Sequence, residues 1–171
     1  GIWHFMKATG REYGLEINKN VDERYNIEKS TKVAAEYLKN AKDRFGSWTL
    51  AAAAYNAGKY GIARRLETQK VSTYYDAKLA NETERYVFRI LALKEIIKNP
   101  EKYGFVFEKE DLYTIKKTYT IKVDTAINNI ASFAKGFNIN YKELKIHNPW
   151  LRENKLNNKS RKVYEIKIPI K

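Results

Sequence analysis

The hydrophobic residues of this chain change period part-way along it, and that change limits the fold more than any other feature of the sequence. Up to about residue 100 they recur every three or four positions, the spacing of a helix with one buried face. Val33, Ala34, Tyr37, Leu38, Ala41 and Phe45 form one such stripe, and Gly46 stands where a C-terminal cap is expected. Ser47 can cap a second helix running from Trp48 through the alanines to Ala57, with Gly58 closing it. A third helix is expected from Asn81, with Glu84 as capping-box partner and a buried stripe of Tyr86, Val87, Ile90, Leu91 and Ile97. Asn99-Pro100 ends it.

Beyond Tyr103-Gly104 the pattern shortens. Glu108-Lys109-Glu110-Asp111 reads as a charged, solvated connector. Tyr119, Ile121 and Val123 then alternate with Thr120 and Lys122, the period of a strand. Ile127, Ile130, Ala131 and Ala134 mark a short helix, and a second is expected over residues 141–147. Val163, Ile166 and Ile168 lie in a run that Pro169 terminates, which reads as another strand. The expected architecture is a mainly α domain over residues 1–104, a linker over 105–117 and a small α+β (βααβ) domain over 118–171.

Composition narrows the function. The absence of cysteine excludes disulfides, thiolate metal sites and cysteine nucleophiles. His4 and His147 lie too far apart in sequence to suggest a ligand pair, so neither metal nor cofactor is expected. No apolar run approaches the roughly 18 residues of a membrane span. The chain opens on Gly1 with neither an initiator Met nor a basic-apolar leader, so its natural N-terminus is expected to lie upstream. The net charge of +13 is spread along the chain: residues 1–104 hold 19 Lys and Arg against 13 Asp and Glu, and the remainder 14 against 7. Nucleic acid, an anionic membrane surface and an acidic wall polymer would all respond to such a field. The Lys and Arg residues form no stripe and acids interleave with them, which argues against nucleic acid.

Three segments carry candidate chemistry. Gly1-Ile2-Trp3-His4-Phe5-Met6 reads as a tight turn entering an aromatic-rich stretch. Ala54-Tyr55-Asn56-Ala57-Gly58 places a phenol and an amide at the end of an alanine-rich helix, and Tyr74-Tyr75-Asp76 is followed by Glu82-Thr83 and Tyr86. A polysaccharide cleft needs such parts, aromatic faces against sugar rings and amides or hydroxyls to orient their substituents. Each segment also has a packing role open to it: close helix approach for the alanines, cap chemistry for Asn56 and Gly58, and half-buried packing for the tyrosines.

In combination and order these segments resemble the Slt-type lytic transglycosylases, glycoside hydrolase family 23, of the membrane-bound murein transglycosylase D kind. The family's Gly-Leu-Trp-Gln-Phe-Met stands here as Gly1–Met6, and its Ala-Thr-Gly-Arg-x-Tyr-Gly-Leu as Ala8–Leu15. Val-Asp-Glu-Arg follows at Val21–Arg24, Ala-Tyr-Asn-Ala-Gly at Ala54–Gly58, and Glu-Thr-x-x-Tyr at Glu82–Tyr86. The resemblance implies a lysozyme-like α domain that cleaves the β-1,4 bond between N-acetylmuramic acid and N-acetylglucosamine, leaving 1,6-anhydro ends. One glutamic acid protonates the leaving oxygen and then acts as base while the muramyl C6 hydroxyl attacks C1, so no second carboxylate is needed. Trp3, His4, Tyr55, Asn56 and Tyr86 are the implied substrate contacts, Tyr86 orienting the acid or the ring and Tyr55 and Asn56 holding the sugar.

Two departures stand out. The family's catalytic Glu lies in a Glu-Ser pair upstream of the Gly-Leu-Trp-Gln segment, and no Glu-Ser pair occurs in these 171 residues. No catalytic acid is therefore assigned in this chain; Glu12, Glu16 and Glu82 do not occupy the matching place and read as surface or capping residues. His4 replaces the family's Gln, an imidazole for an amide. Without the acid-bearing helix an apolar face is expected to remain exposed and to favour oligomerisation.

Residues 118–169 resemble LysM, a βααβ module that binds N-acetylglucosamine-containing glycans. Asp124-Thr125, Asn148-Pro149 and the closing Tyr164-x-Ile-x-Ile-Pro carry the likeness, with Val123 where a Gly is usual. The resemblance implies glycan contacts from Asp124, Thr125, Asn148, Pro149 and Trp150; capping and packing remain open to the same residues. The partner implied throughout is the peptidoglycan glycan strand. The implied location is the periplasm or cell envelope, with outer-membrane anchoring through a part not present here.

Overall fold

The computed structural model describes residues 1–170. Its helices are α1 (Lys7–Glu12), α2 (Ile27–Phe45), α3 (Trp48–Ala57), α4 (Lys59–Gln69), α5 (Asn81–Lys98), α6 (Ile130–Lys135) and α7 (Tyr141–His147), and its strands are β1 (Thr118–Val123) and β2 (Tyr164–Pro169). The chain is mostly helical with a small two-stranded sheet near its C-terminal end. It divides into two compact units, one made of residues 1–33 with 114–171 and the other of residues 34–113. The first unit is thus discontinuous in sequence, and the boundary differs from the one drawn at residue 104 from the hydrophobic pattern.

In the discontinuous unit, β1 and β2 pair antiparallel with Ile121 opposite Ile166 and Val123 opposite Tyr164. Alternation sends Ile166 and Ile168 into the core, where they meet Ile130 and Ala134 of α6 and Leu144 of α7. Both short helices start on side-chain caps. Asn129 accepts from the Ser132 amide at 2.9 Å, and Asn140 and Glu143 form a reciprocal capping box.

The same core takes in Val21, only 1% exposed, from the far end of the sequence. Main-chain bonds fix it there: Val21 bridges Leu151, the Asp22 amide donates to the Trp150 carbonyl at 2.9 Å, and the Arg152 amide donates to the Asn20 carbonyl at 2.8 Å. The Asn20 side-chain oxygen also accepts from the Asn157 amide at 3.0 Å. A segment that resembled one family therefore completes the core of the module that resembled another.

In the other unit, α2 buries Ala34, Tyr37 and Ala41 along the expected stripe and ends at Gly46, whose φ of 79° suits a residue without a side chain. Ser47 caps α3 by accepting from the Leu50 amide at 3.2 Å. Ala51, Ala53 and Ala54 are fully buried, so α3 packs closely on α4 and α5. Helix α4 had no counterpart in the sequence reading; only Ile62 along it is buried, so its periodic signal is weak.

Helix α5 departs from expectation in two ways. Its N-cap is Ala80 rather than Asn81, and the Glu84 carboxylate instead accepts from the Leu79 amide at 3.1 Å. Of the expected buried stripe only Val87 is buried; Ile90, Leu91 and Ile97 are exposed, as are Phe88 and Leu93. Amphipathic spacing names a face that wants cover, and no described element supplies it here.

Because Val21 fills a core otherwise built from residues beyond 120, Val21→Ala is expected to destabilise the discontinuous unit by about 2 kcal/mol in urea unfolding. An unchanged midpoint would place Val21 outside that core.

Candidate functional site

Hydrogen bonds within the discontinuous unit hold the Gly1–Met6 segment. The His4 amide donates to the Gly1 carbonyl at 3.1 Å, closing the expected turn, with His4 itself at φ 52°. Trp3 donates its indole Nε1–H to Thr31 at 2.9 Å, and Arg24 Nη1 donates to the Phe5 carbonyl at 2.8 Å. Gly1 lies so close to Arg24 that a Cβ there would fall 1.8 Å from the Arg24 carbonyl oxygen. Trp3 is half-buried and His4 exposed.

Arg24 is itself fixed by Asp22, which accepts from its Nε at 2.9 Å and its Nη2 at 2.7 Å. Burial works against a charged Asp22, yet the Arg24 hydrogen bonds outweigh it and hold the carboxyl below the usual range. Glu23, the neighbour between them, accepts from the Glu16 amide at 2.7 Å and pairs with Lys29. The Val21–Arg24 motif is therefore a structural clamp. Val21 anchors in the core, Asp22 orients Arg24, and Arg24 holds the segment that presents Trp3 and His4.

Tyr55, Asn56 and Tyr86 come together in the other unit. The Tyr37 and Tyr55 rings meet edge to face at 5.5 Å between centroids, and Tyr37 donates its hydroxyl to the Ala54 carbonyl at 2.9 Å. Burial pushes the Tyr55 hydroxyl up to about 12, with Tyr86 and Tyr37 adding to the shift. Asn56 donates to Glu82 at 3.1 Å and accepts from the Thr83 hydroxyl at 2.8 Å. Tyr74 sets the start of α5 by donating to the carbonyls of Thr83 and Glu84 at 2.8 and 2.6 Å. The alanine-rich motif and the Glu-Thr motif thus form one hydrogen-bonded patch, with Tyr55, Asn56 and Tyr86 half-exposed and Glu82 exposed. The sequence presents the two motifs separately, with Glu82 in a surface or capping part and Tyr37 on a core stripe; the structure joins the motifs through Asn56 and sets Tyr37 against the Tyr55 ring.

The candidate residues of the βααβ module divide. Asp124 and Thr125 are exposed in the loop after β1, Asp124 pairing with Arg161 at 3.0 Å, and Pro149 is half-buried. Asn148 is fully buried: its amide donates to the carbonyls of Leu144 and Lys167 at 2.9 and 2.7 Å, and its oxygen accepts from the Lys167 amide at 2.8 Å. It stitches α7 to β2, a packing duty that uses its polar atoms. Trp150 is 4% exposed and stacks on Tyr164 at 5.7 Å. The first helix begins at Ile130 on the Asn129 cap, so Asp124-Thr125 does not cap it.

Residues 1–77 match the transglycosylase SLT domain family, and residues 119–171 match the soluble lytic transglycosylase C-terminal LysM-like domain. Two stretches of the chain therefore match domain families found in lytic transglycosylases. The chain is 36% identical over 109 residues to membrane-bound lytic murein transglycosylase D of Escherichia coli strain K12, across 61% of this chain and 24% of that protein. The protein of the same name from Escherichia coli O6:H1 matches to the same extent. The chain therefore spans about a quarter of the length of these curated relatives. No helix among the described residues is long and apolar enough to cross a membrane.

Glu16 has a structural use that its sequence position did not suggest. Its carboxylate accepts from the Tyr164 hydroxyl at 2.9 Å, from Asn18 at 2.7 Å and from Lys162. Burial opposes its charge, but the bonds from Lys162, Tyr164 and Asn18 prevail and hold its carboxyl below the ordinary value. The folded carboxyl is then more acidic than the unfolded one, at about 4.3. Its contribution to stability is complete above that value and is lost as pH falls through the folded one. The urea midpoint of the wild type should accordingly fall below pH ~4.3 more steeply than that of Glu16→Gln; parallel profiles would remove Glu16 from the account.

Proposed function

We propose that the chain belongs to an enzyme that cleaves the MurNAc-β-1,4-GlcNAc bond of peptidoglycan with formation of 1,6-anhydro ends, and that these 171 residues supply glycan binding without the acid. The observation that carries the reading is the joined patch of Tyr55, Asn56, Glu82, Thr83 and Tyr86, where an amide held from two sides lies among half-exposed phenols. Such a surface suits N-acetyl and hydroxyl groups of a sugar chain and offers ring edges to its apolar faces. Trp3 and His4 are further contacts, on a segment whose conformation Arg24 and Thr31 fix.

The bond-breaking step needs a carboxylic acid to protonate the glycosidic oxygen, after which the muramyl C6 hydroxyl closes on C1. Glu82 is exposed and accepts a hydrogen bond from the Asn56 amide. Its part is to hold Asn56. Asp124, Thr125 and Pro149 are the module residues left available to a glycan once Asn148 and Trp150 are assigned to packing. Work on peptidoglycan would put the protein in the cell envelope, a reading supported by its similarity to a membrane-bound murein transglycosylase. The uncovered face of α5 would let the isolated chain self-associate.

Incubated with purified sacculi, the chain should pellet with them and release no 1,6-anhydromuropeptides detectable by mass spectrometry. Tyr55→Ala and Asn56→Ala should each weaken pelleting several-fold, since each removes a contact of about 1–2 kcal/mol. Anhydro products from the chain alone would show an acid within it and make Glu82→Gln the first variant to assay. Absence of pelleting would overturn the reading.

A further inference from the structure

A cleft of about 530 Å³ in the discontinuous unit is lined by Pro149 and Trp150 but by neither Asp124 nor Thr125. Its walls are the start of α2, the residues entering β1, the face of the sheet bearing Thr118, Thr120, Glu165 and Lys167, and the end of α7. We propose that this cleft binds a short acidic peptide carrying two carboxylates and an amine, the chemistry of the peptide stems that substitute peptidoglycan glycans. The proposal rests on the reading that the chain works on that polymer.

The aromatic groups of the cleft are already engaged. Trp150 and Tyr164 stack on each other and are 4% and 6% exposed, so neither offers a free ring face. The Tyr25 ring is covered by the Arg152 guanidinium, 4.2 Å from its centroid. A pyranose therefore finds no open platform. What the cleft does present is branched aliphatic surface, with Ile27, Ile115 and Ile146 at 60%, 97% and 61% exposure. Methyl-bearing side chains of alanine size fit against such surface.

Charge completes the argument. Two of the lining lysines are satisfied internally, Lys29 by Glu23 and Lys167 by Glu28. Lys32 and Lys116 are exposed and, among the described residues, make no ion pair; Glu165 is the one lining acid in the same position. Two open cations and one open anion call for a ligand with two carboxylates and one ammonium group. The hydroxyls of Thr118 and Thr120 stand beside them to meet peptide N–H and C=O groups. A neutral N-acetylglucosamine oligomer has no use for this arrangement.

The test is a two-dimensional NMR titration of the full chain with the soluble stem peptide freed from sacculi by an amidase. The peptide is acetylated at the N-terminus so released, which restores the single free amine, and a tetramer of N-acetylglucosamine is titrated in parallel. The peptide should shift the Thr118, Thr120 and Trp150 signals saturably, and Lys32→Glu with Lys116→Glu should weaken it at least tenfold. Lys32→Gln with Lys116→Gln, a milder change at exposed positions, should weaken it less. No saturable shift, equal affinity in both double variants and wild type, or displacement of the peptide by the sugar oligomer would each overturn the proposal. Sacculus pelleting by the same double variants separates the two readings: pelleting with no peptide binding leaves the glycan reading standing and removes this one.

Discussion

The insertion of Val21 into the core of the βααβ module is the interaction on which much of this molecule depends. A two-stranded sheet with two short helices has little interior of its own, and small modules of that size are hard to stabilise. Residues 16–22 remedy this by adding a buried valine, a Val21–Leu151 bridge made of two main-chain hydrogen bonds to Trp150 and Arg152, and the Glu16 carboxylate bonded to Tyr164. The benefit runs the other way as well. Once Val21 and Asp22 are fixed, Arg24 is oriented, and through Arg24 so is the main chain that carries Trp3 and His4. The walls of the isoleucine-lined cleft descend from the same seating, because Ile27 and Lys32 follow directly on the anchored segment.

Much of this was legible in the sequence where the signal is local. Alternation at Tyr119–Val123, the stops at Gly46 and Pro169, and Ser47 ahead of an alanine run each rest on contacts between near neighbours, and each element stands within a residue or two of its expected place. Motif order carried the family. What stayed hidden was pairing at a distance. Asn20 bonds to a residue 137 positions away, and nothing in the period or composition of either segment names the other. The same limit explains α5: spacing marks Ile90, Leu91 and Ile97 as an apolar face, but whether anything covers it is a tertiary fact. Asn148 is the reverse case, a residue type expected at a ligand that is instead spent on joining α7 to β2.

The candidate sites differ in kind. The Tyr55–Asn56–Glu82–Thr83 patch is built from two helices whose small residues let them approach closely, so its polar groups are held by a rigid scaffold. Its hydrogen bonds are neutral or charge-assisted but exposed, adequate to orient a sugar. The cleft of the discontinuous unit is more strongly charged, and its aromatic rings are consumed by packing. That contrast is the physical ground for assigning sugar to one and acidic peptide to the other.

The central structural claim is that residues 16–22 and the βααβ module fold as one unit. Native-state hydrogen exchange, read residue by residue on the full chain, tests it most directly. The Asp22 and Arg152 amides, which bond across the seam at 2.9 and 2.8 Å, should exchange at the same rate and with the same denaturant dependence as the amides of the β1–β2 ladder. Rapid exchange at Asp22 and Arg152 beside a fully protected ladder would mean that the N-terminal segment detaches while the module stays folded, and the account would fail.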